Sequence, residues 1–390
     1  MSPAPRALPP QPYDPAEATR EIVASAKALG FSLVGIAPAA PSRWKRFLED
    51  WIQSAKHGSM DYLERDTPLR LDPRGHLPDT RSFVMVADQY AIRGDAAGTI
   101  PPGHGAIARY ARGRNYHEVI KRRLHKLADA MRLRFPGADF RSFVDTAPVL
   151  ERELAELAGL GWIGKNTMLI HPRIGSYTLL GGAATNLELA VPVEQTRAAD
   201  ACGTCTRCID ACPTGAITSY SVDASRCVSY LTIERRLPIE PPLAERMGDW
   251  LYGCDVCQDV CPHNSPRSEF APVGEVLPAY RPQRSSLSLL EVMRWDEPAR
   301  REAFKSSAMK RAPLEVMRRN AVIAAANQLR TRNGARDDEL TRTLLAEIRR
   351  IAADSGEDPL VRGAAADALA RFDLPAGATG GAPADPRTSG

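Results

Sequence analysis

Two blocks of closely spaced cysteines constrain this chain more than any other feature of its sequence. The first block, CGTCTRCIDACP, contains Cys202, Cys205, Cys208 and Cys212 and ends on a proline. Two-cluster bacterial ferredoxins use this C-x2-C-x2-C-x3-C-P spacing to bind [4Fe-4S] clusters, and its fourth cysteine ligates the other cluster. The spacing therefore predicts a second cysteine block elsewhere in the chain.

The second block is YGCDVCQDVCPHN, which contains Cys254, Cys257 and Cys261. When this block is aligned backwards from its proline, the first cysteine position falls at Leu251, which cannot bind iron. Cys227 is the one cysteine outside the two blocks. We predict that it supplies the missing ligand.

If the last cysteine of each block binds the cluster of the other block, the eight cysteines of the chain fill two four-cysteine sites. Soft thiolate ligands suit the iron of a sulfide-bridged cluster. The alternatives are tetrahedral zinc, which prefers two C-x2-C pairs further apart, and an unrelated cysteine-rich loop. The predicted ligands are Cys202, Cys205, Cys208 and Cys261 for cluster one, and Cys212, Cys227, Cys254 and Cys257 for cluster two.

The length of 390 residues far exceeds that of a bare ferredoxin and indicates additional domains. Helical and strand periodicities alternate up to about residue 195, which is typical of a layered α/β domain. The predicted divisions are a disordered segment at 1–15, an α/β domain at 16–195, a ferredoxin-like domain at 196–285, a helical domain at 286–373 and a disordered tail at 374–390.

The C-terminal region contains two similar segments, RRNAVIAAANQL at 318–329 and VRGAAADALARF at 361–372, at a spacing of 43 residues. This period lies within the range of HEAT-type helical repeats, so we predict a short helical stack. Chance similarity between two alanine-rich helices is the alternative interpretation.

The sequence contains no apolar run of the roughly 20 residues that a membrane-spanning helix needs. The N-terminal segment lacks the features of an export signal. We expect a cytoplasmic monomer that does not bind membranes and whose thiols stay reduced.

The segment GLGWIG at 159–164 matches the G-x-G-x-x-G pattern of dinucleotide-binding sites. That function requires a strand before the glycines and a helix after them. Here a helical pattern precedes the glycines and a strand-like one follows them. We therefore predict no nicotinamide or flavin site at this segment.

Asp145 is predicted to lie at the end of the strand FRSFVDT, directly before a helix that carries Glu151 and Arg152. Proteins with α/β folds keep reactive groups at such strand ends. A carboxyl group with a raised pKa at this place can act as a general acid. Capping of the helix by Asp145 is the alternative. Isolated histidines, His117 among them, are predicted to be structural.

Basic residues concentrate in two stretches of the chain. Residues 109–134 contain nine Lys or Arg against two acidic residues, and residues 294–332 contain ten against four. Such clusters favour an anionic partner, although solvated helix faces have the same composition.

The motif SFVDTAPVLERELAELAGLGWIGKNTMLIHPRIGSY, the two cysteine blocks and the helical segment RRNA together resemble the epoxyqueuosine reductase family. The resemblance implies reduction of epoxyqueuosine to queuosine at the wobble position of a tRNA anticodon, the final step in making this base. It implies two [4Fe-4S] clusters, and cobalamin on a nitroreductase-like α/β domain. It also implies a HEAT-like domain that helps to hold the tRNA.

The same resemblance implies the roles of individual residues and partners. Asp145 matches the proton donor, and an external ferredoxin or flavodoxin is expected to supply electrons. The anticodon stem-loop carrying epoxyqueuosine is the expected substrate. Cobalamin contacts are predicted for Arg70, Asp145, Ala147, Leu169, Leu180, Cys254 and Asp255. Contacts with tRNA are predicted for Arg109, Arg152, Arg318 and Arg319.

Two other functions are compatible with parts of the sequence. A corrinoid iron–sulfur reductase of a small molecule, similar to reductive dehalogenases, would share the clusters and the cobalamin. An electron-transfer or scaffold protein would share only the clusters, and it would leave Asp145 and the basic stretches without a role.

Overall fold

The computed structural model describes residues 12–92, 98–265, 276–331 and 338–372. Its helices are α1 (Pro15–Ala28), α2 (Lys45–Gln53), α3 (Tyr62–Arg65), α4 (Thr67–Leu71), α5 (Tyr116–Arg134), α6 (Glu151–Leu157), α7 (Arg207–Asp210), α8 (Val228–Ile233), α9 (Pro241–Arg246), α10 (Val256–Asp259), α11 (Leu289–Met293), α12 (Glu297–Ala303), α13 (Leu314–Thr331), α14 (Glu339–Ala353) and α15 (Pro359–Phe372). Its strands are β1 (Leu33–Pro38), β2 (Ser82–Gln89), β3 (His104–Ile107), β4 (Phe140–Phe143), β5 (Trp162–Ile163), β6 (Leu169–Ile170), β7 (Thr178–Thr185), β8 (Ile217–Thr218), β9 (Ser221–Val222), β10 (Trp250–Tyr252) and β11 (Ser286–Ser288).

A four-stranded antiparallel sheet in the order β1-β2-β7-β4 organises the first half of the chain. All eight residues of β2 are buried because helices cover both faces of the sheet. Helices α1 and α5 pack on one face around Ile22, Leu124 and Leu127. Helix α6 packs on the other face, where Leu154 contacts the apolar cluster that contains Phe83. The predicted layered arrangement of helices on a sheet is therefore present.

The glycine-rich strand β7 lets neighbouring elements approach the sheet closely. A Cβ atom at Gly182 would lie 2.6 Å from the ring of Phe143 and 2.7 Å from the sulfur of Met85. A Cβ at Gly181 would lie 2.7 Å from Ile120 on α5. The small residues of β7 thus position β4, and with it the loop that carries Asp145.

The segment GLGWIG connects α6 to the hairpin of β5 and β6, as its flanking patterns predicted. A helix precedes the glycines and a strand follows them. Gly161 has a φ of +151°, and a Cβ there would lie 2.4 Å from the carbonyl oxygen of Ile170. Gly161 therefore allows the chain to pass close to β6, and the helix-then-strand order differs from the strand-then-helix order of a dinucleotide-binding loop.

A second sheet, in the order β10-β3-β11, joins three regions of the sequence. Strand β3 pairs in parallel with β10 of the second cysteine block and antiparallel with β11, which precedes the C-terminal helices. Nothing in the short, weakly patterned segment His104–Ile107 indicates these partners. The cysteine region thus lies directly against the first half of the chain.

The C-terminal region is helical, as its composition predicted. The two similar segments lie on α13 and α15, which pack against each other together with α14. Val322, Ala325 and Ala365 belong to their shared apolar core.

The described part of the chain begins at residue 12, inside the segment 1–15 that was predicted to be disordered. Residues 1–11 lie outside the described part, as does the predicted tail at 374–390. Asp14, however, accepts the amide of Ala16 at 2.9 Å and caps α1. The Tyr13 ring packs edge-on against Phe135 at 6.0 Å. In the described ranges, no helix is long and apolar enough to span a bilayer.

Candidate functional site

Asp145 lies in the loop between β4 and α6 in a strained conformation. Its φ of +57° is in the left-handed region, which costs roughly 1–2 kcal/mol for a residue with a Cβ. Its amide donates a hydrogen bond of 2.6 Å to the carboxyl of Glu151. This bond offsets part of the strain. The side chain of Asp145 remains 61% exposed and is open to a ligand.

His117 is the direct partner of the Asp145 carboxyl. Its Nε2 lies 3.2 Å from Asp145 Oδ2, and its Nδ1 lies 2.9 Å from the side-chain oxygen of Asn115. The imidazole also stacks on Tyr116 at 4.0 Å. Both ring nitrogens thus face oxygen atoms of neighbouring side chains. The site therefore contains a hydrogen-bonded histidine–carboxylate pair.

This environment corrects the expectation of a raised pKa at Asp145. Surrounding protein atoms partly desolvate this carboxyl, although 61% of the side chain is exposed, and this effect raises its pKa, but other groups outweigh it. The hydrogen bond and charge of His117 lower the pKa most, followed by the Tyr116 hydroxyl and the charge of Arg311. The pKa of Asp145 consequently lies below its usual range, and the group is an anion at neutral pH.

Glu151 has the opposite protonation state. Burial and the negative charge of Asp145 raise the pKa of Glu151 to about 8, although the amide of Asp145 and the charge of Arg152 act in the other direction. At neutral pH Glu151 is therefore mostly a neutral acid. Two adjacent carboxyl groups thus hold different charges, a pattern typical of active sites.

Arg70 and Arg311 place positive charge around Asp145. Arg311 donates a hydrogen bond of 2.7 Å to Glu234, and its positive charge lowers the pKa of Asp145. Burial lowers the pKa of the Arg70 guanidinium. Arg70 Nε is buried and has no hydrogen-bond partner in the described part of the chain. An unsatisfied buried donor is costly and suggests that a ligand completes it.

Three residues predicted to contact cobalamin converge on one apolar cluster beside Asp145. Leu169 belongs to that cluster and is 3% exposed, while Ala147 and Leu180 pack partly buried against it. The buried donor of Arg70 lies within electrostatic range of Asp145. The unpaired buried donor of Arg70 and the exposed carboxyl of Asp145 are the polar groups that a ligand beside this cluster could contact.

Tyr110 and Tyr252 connect this site to the second cysteine block. Their rings lie 6.3 Å apart, and the charge of Asp145 raises the pKa of both phenols in addition to the larger effect of burial. A Cβ at Gly253 would lie 3.5 Å from the Tyr110 ring. Cys254 is the next residue, so the cysteine region lies directly behind the Asp145 site.

The structure brings the predicted ligands of cluster one together around a cavity of about 330 Å³. Burial raises the pKa of Cys208 to about 11, and the charges of Cys261, Cys202 and Cys205 contribute in that order. The cavity is thus lined by four thiols whose charges interact. Its volume and donor set fit an iron–sulfur cube. The lining cysteines are Cys202, Cys205, Cys208 and Cys261.

The remaining four cysteines form a second group closer to Asp145. Burial raises the pKa of Cys257 well above its usual value, and the charges of Cys227 and Cys212 add to this effect. Burial also raises the pKa of Cys254, and the charges of Cys257 and Cys227 add to this effect. Cys257 is also influenced by Cys208 of the first group, so the two groups are neighbours.

Arg109 and Asp255 form a buried ion pair, which corrects the prediction that Arg109 contacts tRNA. Arg109 is 7% exposed, and its guanidinium contacts Asp255 at 3.5 Å and also Asp259. Its amide donates to Asp255 at 2.7 Å. Burial and Asp259 raise the pKa of Asp255 to about 6. Arg109 therefore holds the second cysteine block against the first half of the chain.

The structure also corrects the prediction for Arg319. This side chain is fully buried, and it donates hydrogen bonds to the carbonyl oxygens of Arg235 and Leu237 at 2.8 and 3.1 Å. Arg318 binds Glu357 through two hydrogen bonds of 2.7 and 2.6 Å. Both arginines join helices inside the protein, and neither presents a free cation to a phosphate.

Arg152 is the one of the four predicted tRNA contacts that lies at the surface. Its guanidinium donates to the hydroxyl of Thr167 at 3.1 Å. Arg152 is adjacent to Glu151 and therefore flanks the open side of the Asp145 site. Sequence reasoning missed the roles of His117, Glu151, Tyr110 and Tyr252. The signal at His117 is its position in the first turn of α5, two residues after the capping residue Asn115.

Family models match two parts of the chain. Residues 70–146 match the model described as "Epoxyqueuosine reductase QueG, DUF1730". Residues 201–264 match a 4Fe-4S double cluster binding domain. The second match spans all eight cysteines.

Curated relatives and solved structures resemble the chain over most of its length. Epoxyqueuosine reductase from Pseudomonas aeruginosa is 36% identical over 334 residues, which cover 84% of this chain and 90% of the relative. The Escherichia coli enzyme is 37% identical over 81% of this chain and 83% of its own. A crystal structure of epoxyqueuosine reductase with a tRNA-Tyr epoxyqueuosine-modified stem loop superposes with a TM-score of 0.78 at 28% identity, covering 92% and 91% of the two chains. The Bacillus subtilis enzyme, solved with its catalytic aspartate loop swung out of the active site, gives the same TM-score at 27% identity and covers 92% of this chain and 91% of its own.

Proposed function

The chain belongs to the epoxyqueuosine reductase family, and we propose that it reduces epoxyqueuosine to queuosine in the anticodon loop of tRNA. The reaction consumes two electrons and two protons, removes the epoxide oxygen as water and leaves a ring double bond. The observation that carries this proposal is the hydrogen-bonded pair of His117 and Asp145, whose carboxyl is largely exposed and which lies in front of the cysteine-rich region.

His117 and Asp145 supply a proton to the substrate oxygen. As the carbon–oxygen bond of the epoxide breaks, negative charge grows on the oxygen. Asp145 is an anion in the resting site, so the proton comes from His117 Nε2 and passes through the Asp145 carboxyl, 3.2 Å away. General acid catalysis of this kind contributes about 10² to 10⁴ in rate.

Glu151 and Tyr116 position this pair. The neutral carboxyl of Glu151 accepts the amide of Asp145 and holds the strained loop. Tyr116 stacks on the imidazole and fixes its plane. Since both neighbours are uncharged at neutral pH, they orient the pair without adding a second negative charge.

Cysteines from both blocks hold the two [4Fe-4S] clusters. We assign the four cavity-lining cysteines to cluster one and the second group to cluster two, because their thiols interact in these two sets. Bound clusters provide a path for single electrons from the surface to the Asp145 site. The crossed ligand pattern ties the two blocks together.

Cobalamin would lie next to Asp145, beside the apolar cluster that contains Leu169. Arg70, Asp145 and the backbone of Cys254 and Asp255 would contact its polar groups, and Leu169, Leu180 and Ala147 would line its ring. When bound, cobalamin supplies the low-potential metal chemistry that the protein side chains lack. Asp255, whose carboxyl is held by Arg109, positions the backbone at this edge.

The first half of the chain is proposed to be nitroreductase-like, and the stack of α13, α14 and α15 to be HEAT-like. Exposed cations beside the Asp145 site, of which Arg152 is one, bind phosphates of the anticodon stem-loop. The wobble base is already in a single-stranded loop, so moving it into the site costs little. The protein acts as a cytoplasmic monomer and takes electrons from an external ferredoxin or flavodoxin.

Complementation tests this function in cells. A bacterial strain that lacks its own epoxyqueuosine reductase accumulates epoxyqueuosine in tRNA, and expression of this chain is expected to replace it with queuosine. Nucleoside analysis of purified tRNA gives the result. Persistence of epoxyqueuosine, with protein that contains iron and cobalamin, would contradict the proposal.

A further inference from the structure

Trp162 on β5 has a buried hydrogen-bond donor that no step of the proposed reaction uses. Its side chain is 2% exposed. No acceptor in the described part of the chain makes a hydrogen bond with its indole Nε1. The indole N–H of a buried tryptophan normally has a partner, because an unsatisfied buried donor is costly. This donor therefore needs an acceptor in the working protein.

The sulfur of Cys202 is the acceptor that the Trp162 indole approaches. Trp162, Cys202 and Cys261 pack in one apolar cluster. Burial raises the pKa of Cys202, while the Lys165 backbone amide and then the Trp162 indole, as hydrogen-bond donors, lower it. The charge of Asp200 is a smaller influence that raises it. A thiolate bound to iron carries more negative charge than a thiol, so Cys202 becomes a better acceptor for this donor when it binds a cluster.

Neighbouring elements from both cysteine blocks hold Trp162 in place. Trp162 pairs with β6 in a short hairpin, and its ring contacts His263 of the second block edge-on at 4.9 Å. On the other side, Lys165 Nζ donates to the carbonyl oxygens of Gly203 and Cys205 at 2.6 and 3.0 Å. These bonds tie the hairpin to the loop of the first block. The indole is therefore kept beside the sulfur atoms of the first group.

The second cysteine group has a different environment. Burial raises the pKa of Cys254 and of Cys257 well above the usual value, and the charges of other cysteines are the next influence. The charge of Asp255 acts in the same direction on both thiols. The hydrogen bond that lowers the pKa of Cys254 comes from the backbone amide of Val256 and not from a side chain. The donor of Trp162 thus distinguishes the first group from the second.

We infer that the indole N–H of Trp162 donates a hydrogen bond to the Cys202 thiolate of cluster one and raises the reduction potential of that cluster. The inference rests on the proposed function, because it concerns a cluster that the proposed reaction needs. Reduction adds one negative charge to a cluster, and a hydrogen bond to a ligating sulfur stabilises this charge. Cluster one therefore accepts an electron from the external carrier at a less negative potential than it would without Trp162.

The test is a redox titration of the full-length protein with both clusters loaded and without tRNA, followed by EPR. Trp162→Phe removes the N–H and keeps an aromatic ring beside His263. One of the two reduction potentials is expected to fall by the equivalent of about a tenfold change in the reduction equilibrium, which is about 59 mV for one electron. The other potential should stay the same. The matched control is Trp295→Phe, at a partly buried tryptophan that packs on Phe304 at 5.4 Å, and both of its potentials should equal those of the wild type.

Two unchanged potentials in Trp162→Phe overturn the inference. So does an equal fall of both potentials, because the hydrogen bond concerns a ligand of one cluster. Failure of the proposed function is a separate result, since it would appear as a wild-type protein whose clusters are reduced but which does not convert the tRNA base.

A second measurement needs no change at Trp162. The wild type is labelled with ¹⁵N in its indole rings, and pulsed EPR of the reduced protein is expected to detect an indole nitrogen coupled to a cluster. Trp250 also packs beside a cysteine group, against Cys254 and Cys227. The label is therefore measured in Trp250→Phe as well, where the coupling should persist. Absence of the coupling in the wild type, or its loss in Trp250→Phe, overturns the inference.

Discussion

Asp145 and His117 are joined by a hydrogen bond, and the charge state of Asp145 depends on this contact. His117 holds the pKa of Asp145 below its usual range, against the effect of burial. Removal of the imidazole takes away the largest influence that lowers this pKa, so the pKa of Asp145 rises and the carboxyl binds its own proton more readily.

His117→Asn is therefore expected to change the shape of the pH–rate profile. At neutral pH conversion falls by about 10², because Asp145 has no proton to pass on. The residual rate should rise as the pH is lowered towards about 5.5, since Asp145 becomes protonated directly. Single-turnover rates between about pH 5.5 and 8.5 give the profile. A variant with the profile of the wild type would show that His117 does not supply the proton.

Glu151 provides a second prediction that depends on pH. Its folded-state pKa of about 8 lies above the ordinary value of 4.5. The stabilisation from its bound proton is therefore complete below about pH 4.5 and is lost as the pH rises through about 8. Glu151→Gln keeps an acceptor oxygen for the Asp145 amide and has no proton to lose.

The stability of Glu151→Gln relative to the wild type should increase from pH 6 to pH 9, by about 1 kcal/mol after allowance for partial exposure. Thermal unfolding of the cluster-loaded protein at both pH values measures the difference. A pH-independent difference would mean that Glu151 is ionised throughout.

The sequence identified Asp145 through its position at the end of a strand. The charge state of Asp145, however, depends on His117 of α5, which is distant in sequence.

Helices α6 and α13 carry arginines with opposite roles, although both were predicted to contact tRNA. Arg152 on α6 is at the surface beside the site. Arg319 on α13 is buried and satisfies carbonyl groups at the end of α8 and beyond it. The basic composition of the two segments did not distinguish these roles, because the local sequence does not show whether an arginine is buried or exposed.

Arg152→Ala is expected to weaken binding of the stem-loop about three- to tenfold at low salt and to reduce the salt dependence of binding by about one charge. Its melting temperature should be unchanged. Arg319→Ala is expected to lower stability by several kcal/mol, because carbonyl oxygens lose their buried donor. Fluorescence anisotropy and thermal unfolding distinguish the two. Equal affinity of Arg152→Ala and the wild type would exclude a phosphate contact at this position.

At the scale of the whole molecule, one cysteine group lines a cavity, the second group is its neighbour, and Tyr110 and Tyr252 lie between the second group and Asp145. The cysteine spacing predicted both groups because ligand chemistry fixes that pattern. The strand pairing of β3 with β10 and β11, which puts the groups behind Asp145, was not predictable. These pairings join segments of three or four residues, too short to show periodicity.

Cys227→Ser tests this organisation. Because Cys227 is assigned to cluster two alone, iron content should fall from about eight to about four atoms per chain. Conversion should be lost, while the stem-loop still binds, since the acid site and its cations are unaffected. Iron analysis and anisotropy give both quantities. Full iron content in the variant would contradict the assignment of Cys227.

The most direct measurement is single-turnover conversion under anaerobic conditions. The protein with both clusters and cobalamin is reduced chemically and mixed with an anticodon stem-loop that carries epoxyqueuosine, and its nucleosides are analysed by mass spectrometry. The account predicts a loss of about 16 mass units, the mass of one oxygen atom, that requires cobalamin and slows by about 10² or more in Asp145→Asn. An unchanged nucleoside, with the clusters reduced and cobalamin bound, would contradict it.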